Sequence, residues 1–149
     1  MKLSGEYTFT GPRERVWAVL MDRDALKSCL PGCEGFDPIG ADQYRVTVKI
    51  GVAAVRGTYT GTVVLSDVDE PVRYTLGAQG TGGPGFMKAV TLMELEEQGT
   101  ATILRWSADA IIGGTVASVG ARMLGGVATH IAGQFFKCLE SRLVSSVKS

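Results

Sequence analysis

The sequence predicts an α+β fold: an antiparallel sheet of six to seven strands wraps around one long C-terminal helix, and two short helices follow the first strand. Three observations predict it. Apolar residues alternate with polar ones over residues 2–10 and again through much of 34–112, the period of half-buried strands. Two short segments between these stretches carry apolar residues at helical spacing. Past Gly113-Gly114 the apolar residues recur every fourth position to the end of the chain.

The first strand reads from Leu3, Gly5, Tyr7 and Phe9, set against polar neighbours. Gly11-Pro12 ends it, and Pro12 suits a first helical turn because its missing N–H has no partner there anyway. Val16, Trp17 and Leu20 give the apolar stripe of a helix over 12–20. A second helix over 22–30 starts at Asp22 and is stopped by Pro31-Gly32. Both are amphipathic, and the sheet is what they must cover.

The remaining strands follow from alternation and turn chemistry. Tyr44, Val46, Val48 and Ile50 alternate with Arg45, Thr47 and Lys49, and Tyr59, Gly61, Val63 and Leu65 alternate with Thr58, Thr60 and Thr62. Asp69-Glu70-Pro71, the glycines of 80–85 and Gln98-Gly99 are turn sequences that divide out strands near 72–81, 86–97 and 100–111. Consecutive strands with short connections pair antiparallel. The helix is expected over 115–147, with Val119, Met123, Val127, Ile131, Phe135, Leu139, Leu143 and Val147 on its stripe. It would run about 50 Å at 1.5 Å per residue, so its end is expected to protrude or to meet a partner. Gly120, Gly125, Gly126 and Gly133 weaken its first half. Two reasons for them stay open: a close approach to the sheet, or room left for a ligand.

At 149 residues, with 45% hydrophobic and 20% charged, the chain is expected to form one domain over 1–149 with an ordinary core. Fifteen basic residues balance fifteen acidic ones, so no net field draws the protein to nucleic acid, which is not expected as a partner. The N-terminal sequence lacks an apolar export segment, and a cytoplasmic location is the expectation. Cys29, Cys33 and Cys138 are an odd set, all read as thiols of a reducing compartment. Cys29 and Cys33 lack a second pair with which to hold zinc.

Several short segments, taken in order, resemble one family. They are Cys29-Leu30-Pro31-Gly32-Cys33-Glu34, Val48-Lys49-Ile50-Gly51, Gly57-Thr58-Tyr59-Thr60-Gly61, Gly80-Thr81-Gly82-Gly83-Pro84-Gly85-Phe86 and Gln134-Phe135-Phe136. Together they resemble the carbon monoxide dehydrogenase G-subunit family of the SRPBCC (START-like) superfamily, whose arrangement is the helix-grip. The resemblance implies a cavity under the long helix, a lipid- or quinone-like ligand, and association with molybdenum-hydroxylase subunits of the carbon monoxide dehydrogenase type at the inner face of the membrane. Larger members look as if they continue past the helix into a membrane-binding segment. This sequence ends at Ser149, so peripheral membrane contact without an anchor is the expectation.

If the alternation is in register, Tyr59, Val63, Tyr74 and Leu76 line the cavity from the central strands. Phe86, Met93 and Trp106 line it from the last two, and Met123, Val127, His130 and Phe135 from the helix. Trp17 would act as part of a lid. The same residues would also make a plain filled core, and composition does not separate the two.

Conventional catalytic patterns are weak. Residues 80–85 satisfy GxGxxG, but the residues after them read as a strand instead of the helix whose N-terminus holds a pyrophosphate. His130 is the sole histidine, which leaves no imidazole triad for a metal or a Ser-His-Asp relay. Glu94, Glu96 and Glu97 beside a turn, and Arg13-Glu14-Arg15 at a helix start, read as solvated charges. No catalytic residue, metal or cofactor is assigned. Three readings stand: a binding protein for a hydrophobic small molecule that serves an enzyme, a small SRPBCC enzyme, and a ligand-free adaptor. The adaptor would use Leu139, Leu143 and Val147 at the helix end to bind a partner subunit or, as a homodimer, its own copy.

Overall fold

The computed structural model describes residues 1–52, 55–83 and 85–148, with the side chains of 144–148 excepted. Strand β1 (Lys2–Thr10) leads into helices α1 (Arg13–Leu20) and α2 (Arg23–Cys29). Six strands follow: β2 (Cys33–Gly40), β3 (Gln43–Ile50), β4 (Gly57–Asp69), β5 (Arg73–Gly82), β6 (Gly85–Gln98) and β7 (Ala101–Gly113). A turn of 3₁₀ helix over Thr115–Val119 precedes the long helix α3 (Ala121–Lys148). The seven strands form one antiparallel sheet in the order β1-β7-β6-β5-β4-β3-β2.

Local chemistry explains the boundaries. The Asp22 side chain accepts from the backbone N–H groups of Asp24 at 3.0 Å and Ala25 at 3.3 Å, which caps α2. Gly32, at φ +74°, turns the chain into β2, and a Cβ there would lie 2.0 Å from the Lys49 carbonyl oxygen, so only glycine fits. Gly61 lets β4 and β5 close up, because an added Cβ would lie 1.7 Å from the carbonyl oxygen of Gln79. The segment over 80–85 is a hairpin between β5 and β6, its Pro84 lying outside the described residues. No helix follows it, in keeping with the strand reading of residues 86–92.

The predicted single helix over 115–147 is interrupted. Gly120 takes φ +95°, a left-handed conformation that separates the 3₁₀ turn from α3. The cysteine expectation also needs correction. Cys29 and Cys138 form a disulfide across a sequence separation of 109 residues, and only Cys33 is a free thiol. The pair joins the end of α2 to α3, a juxtaposition that only the tertiary fold creates. It removes the thiol-based argument for a reducing compartment.

The main core cluster joins β1, α1, the sheet and the second half of α3. Phe9 from β1, Val16, Trp17 and Leu20 from α1, and Leu95 and Leu104 from the sheet pack against Phe136, Leu139 and Leu143 of α3. The Phe9 and Phe136 rings meet edge to face with centroids 6.1 Å apart. Leu139 and Leu143 are thus core residues, which removes two of the three positions that an adaptor surface at the helix end would use. The third, Val147, lies among side chains outside the described set.

Candidate functional site

Strand register sorts the side chains onto two faces. One cross-strand row holds Gly5, Trp106, Met93 and Tyr74, and the next holds Leu3, Ala108, Thr91, Leu76 and Leu65. A third runs through Ala110, Ala89, Ala78, Val63 and Tyr44. All these belong to the inner face, toward α3. The row Glu6, Arg105, Glu94, Arg73 and the residues Lys2, Asp109 and Lys88 fall on the outer face by the same alternation. There Arg105 makes ion pairs with Glu6, at 3.4 Å, and with Glu96.

Burial along the inner face falls off sharply. Tyr74 is 3% exposed and Met93 6%, and Ala110 and Val46 are buried too, but Leu76, Thr91, Val63, Ala78 and Ala89 between them are only half-buried, and Met87 is 43% exposed. The helix shows the same gradient. Phe136, Leu139 and Leu143 are buried, whereas Leu124, Val127, Ala128 and Ile131 in its first half, and Phe135 just past its middle, are half-buried. α3 packs on β1, α1 and α2. The first half of α3 and the inner face of β4–β6 therefore each keep an apolar surface that is only half covered.

Tyr59, Val63, Tyr74, Leu76, Met93 and Trp106 are on the inner face, and Val127 and Phe135 are half-buried on α3. The Trp106 indole lies over Gly5, where a Cβ would come within 2.8 Å of the ring. Four expectations are corrected. Phe86 is 45% exposed on the outer face, its ring laid over Gly113, because register gives the inner position to Met87. Met123, 53% exposed, and His130 are on the solvent side of α3. Trp17 is fixed in the core, edge-on to Tyr74 at 5.4 Å, and is no lid.

The helix glycines divide in the same way. An added Cβ at Gly125 would touch Leu3 at 3.4 Å, so this glycine faces the sheet. Gly126 and Gly133 have nothing within 4 Å and share the exposed side with Thr129 and Lys137. Neither close approach nor room for a ligand accounts for those two.

The residues missed by sequence reasoning are Ala78, Met87, Thr91 and Ile131. For Met87 the signal was present. Positions 86 and 93 differ by an odd number, so Phe86 and Met93 cannot share one face of an unbulged strand.

The inner wall supplies hydroxyls but, over these rows, no charge. The Tyr59 hydroxyl donates to the Val55 carbonyl at 2.7 Å, and burial raises its pKa. The Tyr7 hydroxyl donates to Glu140 on α3 at 2.5 Å. Burial, then the Glu140 carboxylate, pushes Tyr7 up to about 12. Burial also pushes Glu140 upward, but the hydrogen bonds from Tyr7 and Thr10 outweigh it, and its pKa is lowered. Tyr74 is raised by burial alone. Among the described residues no cluster of three His, Cys, Asp or Glu side chains is placed to hold a metal, and no helix is long and apolar enough to cross a membrane. A separate concavity of about 560 Å³ lies on the outer face against Ser4, Thr75, Val90, Leu92 and Ser107, across the sheet from α3.

The sequence pattern of the carbon monoxide dehydrogenase G-subunit (CoxG) family matches residues 5–144. A conserved protein from Geobacillus kaustophilus is 37% identical over 98% of this chain and 97% of its own, with a TM-score of 0.95. A START superfamily protein from Mycobacterium smegmatis is 16% identical over 97% of both chains, with a TM-score of 0.75. The Zhui aromatase/cyclase of Streptomyces sp. R1128 is also 16% identical, over 99% of this chain and 95% of its own, with a TM-score of 0.71. The last two show the fold alone, the START-like helix-grip. No curated protein matches the sequence.

Proposed function

The chain belongs to the CoxG family, and from that premise we propose that it holds an apolar, lipid- or quinone-like molecule in a cleft between α3 and the sheet and serves a molybdenum hydroxylase of the carbon monoxide dehydrogenase type. The observation that carries this reading is the pair of half-covered apolar surfaces, one on the first half of α3 and one on the inner face of the sheet. Half-buried leucine, valine and methionine side chains on facing walls favour a guest of the same polarity, at about 25 cal/mol per Å² of apolar surface covered. Binding is favoured over acid–base chemistry because the wall rows offer hydroxyls and an indole, while the charged side chains project from the opposite face. The protein would work at a membrane surface, where such a guest is exchanged.

Gentle purification from the native host, followed by organic extraction and mass spectrometry, tests the reading. One apolar species is expected in near-equimolar amount with wild-type protein, and little with Ala78→Trp, which fills the half-buried wall between Val63 and Ala89. Empty wild-type protein, or undiminished cargo in Ala78→Trp, overturns it. Recovery of molybdenum-hydroxylase subunits in the same purification tests the partner.

A further inference from the structure

All four tyrosines of the chain, Tyr7, Tyr44, Tyr59 and Tyr74, fall on the inner face of the sheet by register. Tyr7 spends its hydroxyl on Glu140 and Tyr59 on Val55. Tyr44 is half-buried beside Phe36 of the edge strand β2, within reach of water. Tyr74 is different: the residue is 3% exposed and its hydroxyl meets no hydrogen-bond partner among the described residues, yet the oxygen is not fully sealed, since the buried side-chain atom without a partner is Arg13 Nε. A tyrosine packed this closely ordinarily finds a hydrogen-bond partner for its hydroxyl. Burial without a compensating hydrogen bond keeps this phenol protonated, as a donor.

The position fits a ligand group. Tyr74 and Met93 are the last fully buried cross-strand pair, and Leu76 and Thr91 behind them are the first of the unsealed wall. The residue therefore stands where the core ends and the cleft begins. The Trp17 ring, edge-on at 5.4 Å, fixes one side of it.

We propose that the Tyr74 hydroxyl is the polar anchor of the cleft, donating a hydrogen bond to a carbonyl oxygen at one end of an otherwise apolar ligand. The inference rests on the cleft reading above and narrows its ligand class: a ketone- or quinone-type carbonyl is taken in preference to a pure hydrocarbon.

Two fluorescent probes of the same shape test it in the full-length protein: propionyl-dimethylaminonaphthalene, which has a carbonyl, and propyl-dimethylaminonaphthalene, which does not. Tyr74→Phe is expected to weaken the ketone roughly tenfold, the effect of one hydrogen bond, and the carbonyl-free probe less than about twofold. It should leave the melting temperature of the ligand-free protein unchanged or raised. Equal effects on the two probes, or none, overturn the anchor and leave the cleft standing. A lowered melting temperature means that the hydroxyl has a partner within the fold, and also overturns the anchor. Failure of either probe to bind wild-type protein, or binding that survives Ala78→Trp, overturns the cleft reading itself.

Discussion

Tyr7 and Glu140 tie the first strand to the last helix through one 2.5 Å hydrogen bond, and the Thr10 N–H reaches the other carboxylate oxygen at 3.0 Å. Replacing Tyr7 with Phe is expected to destabilise the fold by about 1–2 kcal/mol, the usual loss of a bond to a charged acceptor. The pH profile should change with it. A phenol raised to about 12 stabilises the fold fully below its ordinary 10, and that contribution is lost as the pH rises between the two values. Denaturation midpoints across that window should fall less steeply in Tyr7→Phe, with Tyr59 and Tyr74 sustaining the remainder. Glu140, its pKa lowered, has the opposite sense: its contribution is present above the ordinary carboxylate value of 4.5 and lost as the pH falls through the lowered one. Single residues were legible where periodicity alone decides, as at Tyr59, Val63 and Met93. Phe86 failed because an aromatic at a strand start looks like a core residue until its parity is counted against Met93.

Elements were more legible than contacts. The long helix, the two short ones and the central strands follow from their periods, whereas β2 offers little alternation. It holds Gly35, Pro38 and Gly40, buries only Phe36, and lies at the sheet edge where one side needs no pairing. The disulfide was illegible because 109 residues separate its cysteines and no local pattern links α2 to α3. Closing so long a loop restricts the unfolded chain, so reduction, or Cys29→Ser with Cys138→Ser, is expected to lower stability by about 2–4 kcal/mol. A melting temperature that is the same with and without reductant would contradict this. Within α3, Gly126 and Gly133 face open space, and changing both to Ala should stabilise the protein by up to about 1 kcal/mol each. Thermal melting of the double variant checks it; a loss of stability would mean that these positions need glycine for a contact formed elsewhere.

At the scale of the whole molecule, apolar content says how much greasy surface exists but not whether its two halves touch. Composition and periodicity therefore leave cavity and core equivalent, and it is the burial gradient from Tyr74 and Leu104 out to Met87 that supports the proposed cavity. That gradient also has a mechanical meaning. The second half of α3 is held by Phe136, Leu139 and Leu143 in the core and by Cys138 covalently, while its first half begins after the break at Gly120. A helix held in this way at one end is expected to deflect most at the other, as a cantilever does. Amide exchange is expected to be fastest over residues 121–128, slowest around Leu139, and slowed at the free end once the cleft is filled; uniform protection along the helix would show that the beam is held at both ends.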